Sequence, residues 1–85
     1  MDYRLDSPQL LLDFLSYHET IKAHSQRTVD EYYLDMRNFF RYLKQQRDPA
    51  LAGQPLDAID IRDIDIDFIS RITLTDIYSY LTYLS

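Results

Sequence analysis

Apolar residues recur at helical spacing in three stretches of the chain and alternate with acid in a fourth. Leu11, Phe14, Leu15 and His18 fall at i, i+3, i+4 and i+7, and Leu10, Tyr17 and Ile21 widen the same stripe. Ser7 before Pro8 has the order of an N-cap followed by a first helical residue, so the pattern predicts a helix over about residues 8–21. A second run starts after Ser25, another N-cap candidate. Val29, Tyr32, Tyr33, Met36, Phe39, Phe40 and Leu43 keep helical spacing without Gly or Pro, which predicts a helix over about residues 26–46. Arg27, Glu31, Leu34, Asn38, Arg41 and Gln45 fall on its opposite side.

Asp48-Pro49 ends that helix, since the residue before a proline is pushed out of the α region. A loop follows through Gly53 and Pro55. The segment DAIDIRDIDIDFISRI then alternates Asp and Ile, a period-2 pattern that suggests a strand. No second strand is available to pair with it, and a lone strand leaves its backbone groups unpaired. The expected form is an irregular stretch ending in a short helix over about residues 65–71. Thr73 and Asp76 make an acidic capping box for a last helix over about residues 74–84, with Leu74, Ile77, Tyr78, Leu81 and Leu84 as its apolar stripe. Tyr80 and Tyr83 fall on the other side of that helix. They are either a docking surface or a cap on the edge of the core.

The pattern describes one all-α domain spanning residues 1–85. Composition narrows this little further. There is no Cys, so no disulfide or thiolate metal site, and twelve aromatics, eight of them Tyr, supply packing bulk. No apolar run approaches the roughly 18–20 residues needed to cross a bilayer. The start lacks a signal-peptide layout, and a reduced cytosolic setting is expected.

The net charge of −5 opposes nucleic-acid binding, but the charge is unevenly spread. Residues 24–47 hold Arg27, Arg37, Arg41, Lys44 and Arg47 against Asp30, Glu31 and Asp35, a net of +2. Residues 57–85 hold six Asp and two Arg, a net of −4. Local patches steer charged partners as well as the total does.

No catalytic set is apparent. His18 and His24 are six apart, which does not put two metal ligands on one helical face; His18 is expected to be a packed, hydrogen-bonded residue and His24 a loop residue. One Gly excludes a glycine-rich phosphate loop. The Asp57, Asp60, Asp63, Asp65 and Asp67 series lacks the central Gly and terminal Glu of a calcium loop and fits a solvated acidic edge with Ile turned inward.

The second helix is more specific. Ser25-x-x-Thr28-x-x-x-Tyr32-x-x-Asp35-Met36-x-x-Phe39-x-x-Tyr42-Leu43 resembles the signature of the core-binding domain of tyrosine recombinases, the phage-integrase family, with Met36 where Leu is usual. Ile72-Thr73-x-x-Asp76-Ile77-x-x-Tyr80-Leu81 is similar to the closing helix of the same domain, and the helix around Leu11–Phe14 stands where the family's first helix stands. The likeness covers about residues 8–85 and is least typical over 47–64.

The resemblance implies a small four-helix SAM-like orthogonal bundle that forms half of a clamp around double-stranded DNA. It implies a non-catalytic module with no cofactor. A separate C-terminal catalytic domain of the parent chain, absent here, would supply the arginines, histidine, lysine and tyrosine nucleophile. It further implies contacts with other recombinase protomers in a DNA-bound tetramer, no membrane partner, and a bacterial or phage-encoded protein of the cytoplasm. Carried over by position, the DNA-facing residues are Ser25, Arg27, Thr28, Glu31, Asn38 and Arg41. Thr28 would meet a phosphate near the Ser25 cap, where helix amides favour an anion. Asn38 would reach a base edge, and Glu31 would either accept from a cytosine amino group or repel the backbone. The alternative is a helical protein–protein interaction module without DNA binding.

Overall fold

The computed structural model describes all of residues 1–85, and its architecture is four α-helices with no strand. Helix α1 spans Gln9–Thr20, α2 Gln26–Arg47, α3 Ile66–Ser70 and α4 Leu74–Leu84, with short 3-10 turns at Tyr3–Leu5, Pro49–Leu51 and Leu56–Ala58. No helix is long and apolar enough to cross a membrane. Helix α2 is the axis of the fold. α1 packs along one side of it, α4 along another, and the 48–64 connection wraps its C-terminal half.

The core uses part of the predicted stripes, since Phe14, Tyr17 and Ile21 of α1 are exposed and Tyr32, Met36 and Phe39 of α2 are half-buried. Leu11 and Leu15 of α1 meet Val29, Tyr33 and Phe40 of α2, all buried. Ile59, Ile61 and Ile64 close the core from the connection. The Asp–Ile alternation is therefore an irregular stretch with three isoleucines inward and Asp57, Asp60, Asp63, Asp65 and Asp67 exposed, while Ile66 breaks the pattern and faces solvent.

The connection is pinned by polar contacts from α2. Gln45 donates to the carbonyls of Leu51 and Gln54 at 3.2 and 2.7 Å. Lys44 donates to the Asp60 carbonyl and to Asp63, both at 2.5 Å. Arg47 donates to the carbonyls of Phe68 and Arg71 and to Asp76, and it lies over the Phe68 ring at 4.5 Å.

Two local readings need correction. Ser7 does not cap α1: Pro8 is itself the boundary residue, with no side-chain cap, and the Ser7 hydroxyl is buried without a hydrogen-bond partner. The apolar stripe of α4 is not its core face. Tyr80 turns toward α2, with its ring 4.9 Å from Phe39 and 5.2 Å from Tyr42, and Tyr83 lies 5.0 Å from Tyr42. Leu74, Ile77, Tyr78, Leu81 and Leu84 are left 40–62% exposed. Of the two readings of Tyr80 and Tyr83, the edge of the core is the one observed. The physical reason is that α4 is apolar on both sides, so spacing alone does not tell which side meets the bundle. Burial of Tyr80, then the negative field of Asp35, raises the pKa of its hydroxyl.

Candidate nucleic-acid interface

The N-terminal end of α2 is built as the sequence predicts. Ser25 is the N-cap, and its hydroxyl accepts from the Thr28 amide at 3.2 Å while donating to the Thr28 hydroxyl at 3.0 Å. The first amides of a helix have no partner inside it, so those of Gln26 and Arg27 stay free to meet an acceptor. Arg27 projects into solvent, 90% exposed, with Glu31 one turn on at 3.4 Å. A pair this open contributes little and is easily exchanged for another partner.

The turn leading into this end carries a backbone strain. Ala23 adopts φ 53°, in the left-handed region that favours glycine. This lets the His24 amide donate back to the His18 carbonyl at 3.0 Å, one step beyond the Lys22 amide's bond to the Tyr17 carbonyl at 3.2 Å that closes the helix end. The same turn stacks the His24 ring on His18 at 5.3 Å. Spacing along one helix does not reveal that pairing. His18 is half-buried among Phe14, Tyr17 and Tyr32, and its Nδ1 has no partner, so the expected hydrogen bond is absent. No third His, Cys, Asp or Glu joins the two imidazoles to form a metal-binding group.

Ser25, Arg27, Thr28 and Glu31 thus share the first two turns of α2, and Asn38 stands exposed farther along. Arg41 does not belong with them. It is 8% exposed, and its guanidinium lies 3.6 Å from Asp6, inside the molecule. The cause is the N-terminal segment, which folds back over α2. Tyr33 donates to Asp6 at 2.5 Å, and Arg37 donates to Asp6 at 3.2 Å and to the Tyr33 hydroxyl at 3.0 Å. Tyr3 donates to Asp30 and accepts from Gln26. Burial, then that bond to Asp30, pushes the Tyr3 pKa up to about 12. The polar stripe read on a helical wheel is therefore open from Arg27 to Asn38 at its polar positions and closed at Arg41 and Gln45.

The same accounting changes the charge picture. Arg4, Arg27, Arg37, Arg41, Lys44, Arg47 and Arg62 each have a carboxylate partner. Four of the five cations in residues 24–47 are paired with acids from outside that stretch: Asp6, Asp63 and Asp76. The local excess of +2 is spent inside the fold. Lys22 and Arg71 are the two basic residues without an acidic partner. Lys22 sits in the α1–α2 turn, four positions before the first residue of α2.

Over 81 residues, 95% of the chain, the sequence is 42% identical to tyrosine recombinase XerC of Caldanaerobacter subterraneus subsp. tengcongensis. The chain spans 23% of that relative's length. The likeness to the tyrosine recombinases read from α2 and α4 is thereby borne out. No family model matches the chain, and no solved structure matches it.

Proposed function

We propose that this chain is the core-binding module of a tyrosine recombinase, acting in the bacterial cytoplasm to hold duplex DNA near the site of strand exchange. The 42% identity to a tyrosine recombinase across nearly the whole chain carries this reading. The α2 N-terminus supports it physically. Free helix amides, the Ser25–Thr28 cap and an extended Arg27 form a seat for a phosphate oxygen, with Lys22 in the turn that leads into it. Arg27 and Thr28 position the backbone, and Asn38 is an exposed amide farther along the helix able to reach a base edge. Strand cleavage, a partner catalytic domain and assembly with further protomers belong to the whole recombinase in this reading. The module itself contributes grip, not chemistry.

Because most cations are paired internally, grip by the module alone is weak. Two or so neutralised phosphates give a salt slope of roughly −2, and affinity falls in the non-specific range of about 10⁻⁴–10⁻⁶ M. A heteronuclear NMR titration with a short duplex at low salt, repeated at moderate salt, tests this. Expected are shifts confined to residues 22–38 that salt erases and Arg27→Glu removes. Absence of any shift with DNA in large excess at low salt would overturn it.

A second reading, a helical interaction module that binds no DNA, is favoured by one observation. The net charge is −5, and all but two of the nine basic side chains are already engaged with carboxylates. The silent titration is the outcome it requires.

A further inference from the structure

The exposed face of α4 is not an isolated oddity of one helix. Leu74, Ile77, Tyr78, Leu81 and Leu84 run its full length without a polar interruption on that side. Ile77 continues the face inward. With Tyr80 of α4 and Met36, Phe39 and Asp35 of α2 it lines a groove of about 290 Å³. Tyr32, Met36 and Phe39 stand at i, i+4 and i+7 on α2, so this groove extends along one strip of that helix. At the far end of the strip Tyr32 meets Phe14 of α1, rings 6.0 Å apart, and beyond Phe14 lie exposed Tyr17 and Ile21. The strip is thus a trough along α2 with α1 on one side and α4 on the other. Single exposed apolar residues are ordinary, but a continuous trough of them marks a docking surface. Its length, about three turns of α4, and its side chains at i, i+3, i+4 and i+7 match the way one helix seats in a groove made by others.

Charge identifies the occupant. Neither α1 nor α4 contains a Lys or Arg, and with Asp76 already paired with Arg47 the acids they leave free of a cation are Asp13 and Glu19. The lip of the groove carries Asp35, exposed and without a cation. A second copy of this chain would bring the same acid against this rim. We infer that the trough seats a basic amphipathic α-helix from outside these 85 residues, its apolar side against Ile77, Leu81 and Phe39 and its cations over Asp35. This goes beyond the DNA-binding reading and does not depend on it, since docking requires no nucleic acid. Where both hold, the docked helix brings to the module the exposed positive charge that its own arginines, paired internally, do not provide.

The test uses the chain as it stands and two labelled model helices of about 18 residues, one of Leu and Lys and one of Leu and Glu in the same amphipathic order. Fluorescence anisotropy reads binding, NMR shifts locate it, and sedimentation equilibrium reads self-association. Expected is saturable binding of the Leu/Lys helix at about 10–100 μM, with shifts along α4 and at Tyr32, Met36 and Phe39, and at least about tenfold weaker binding of the Leu/Glu helix. Leu81→Ser removes apolar contact without adding charge and lowers Leu/Lys affinity about tenfold. Asp35→Arg, at an exposed position, narrows or reverses the preference between the two helices. The inference is overturned by equal affinity for both helices, by indifference to Leu81→Ser, or by a dimer of the free chain that Leu81→Ser dissolves. Should Leu81→Ser disturb the fold, Leu84→Ser at the outer end of the same face is read in its place.

Discussion

The α1–α2 half of the molecule and the α4 side differ in how completely each uses its apolar surface. Where α1 crosses α2, Leu11, Leu15, Val29 and Phe40 are sealed, and even the polar groups are turned inward, with Asp6 gathering Tyr33, Arg37 and Arg41. On the α4 side a ring contact, Tyr80 between Phe39 and Tyr42, and one ion pair, Arg47–Asp76 at 3.1 Å, hold a helix whose remaining apolar residues face water. The first region is a finished core. The second is an interface with one side missing, and its stability is local. The comparison teaches that burial, not the sequence pattern, separates residues that hold the fold from residues that wait for a partner.

The sharpest break of this contrast is in the sealed half. Phe40→Ala removes a fully buried ring and leaves a cavity, with an expected loss of about 3–5 kcal/mol in urea unfolding followed by circular dichroism. Next is Asp6→Ala. It strands two arginines whose Nε atoms already lack partners, for a loss of about 2–3 kcal/mol, although Asp6 is partly exposed. If Asp6→Ala is neutral, the N-terminal segment is not part of the closed half, and Arg41 becomes available to a phosphate again.

These two positions also show how far the sequence could be read. Helix limits came within a residue or two, because caps such as Ser25 and Thr73 and the stop at Asp48-Pro49 act locally. The core of α1 and α2 followed from spacing because each has one apolar side. What stayed hidden was long-range. Nothing near Arg41 in sequence announces that Asp6, 35 positions away, will cover it. Nothing in α4 ranks its two apolar sides. The joining of His18 to His24 depends on a left-handed Ala23, where a Gly would have announced the turn. In the candidate site, Ser25, Arg27 and Thr28 were legible as a capped helix start, and the loss of Arg41 was not.

The Ala23 turn allows a smaller, opposite-signed test. A non-glycine residue in the left-handed region costs about 1–2 kcal/mol, partly offset by the extra freedom glycine gives the unfolded chain. Ala23→Gly is therefore expected to raise stability by up to about 1 kcal/mol and to leave the His18–His24 stack in place, checked by thermal unfolding and by imidazole chemical shifts. A loss of stability would mean that the turn is held open by something other than its backbone.

The α4 side is expected to respond least to truncation and most to acid. Asp76 has its pKa lowered by the bond it accepts from the Thr73 amide at 2.9 Å, and further by Arg47. In the α1–α2 half Asp30 is lowered as well, first by the Tyr3 hydroxyl, but that bond holds the N-terminal segment and not the buried core. A carboxylate more acidic folded than unfolded adds stability that is present above its unfolded value near 4 and is lost as pH falls through the folded value. Acidifying from pH 5 to 2 should therefore release α4 first, seen as faster amide exchange over residues 74–84 while the α1–α2 core stays protected. Leu81→Ser at neutral pH is the counterpart. Its side chain is 54% exposed, so a little packing is lost along with helix propensity, and the unfolding free energy should move by no more than about 1 kcal/mol. That near-silence is informative because the same residue is expected to govern helix docking. A residue that changes binding tenfold and stability hardly at all serves a partner, whereas a stability loss comparable to that of Phe40→Ala would place Leu81 in the core and remove the difference between the two halves.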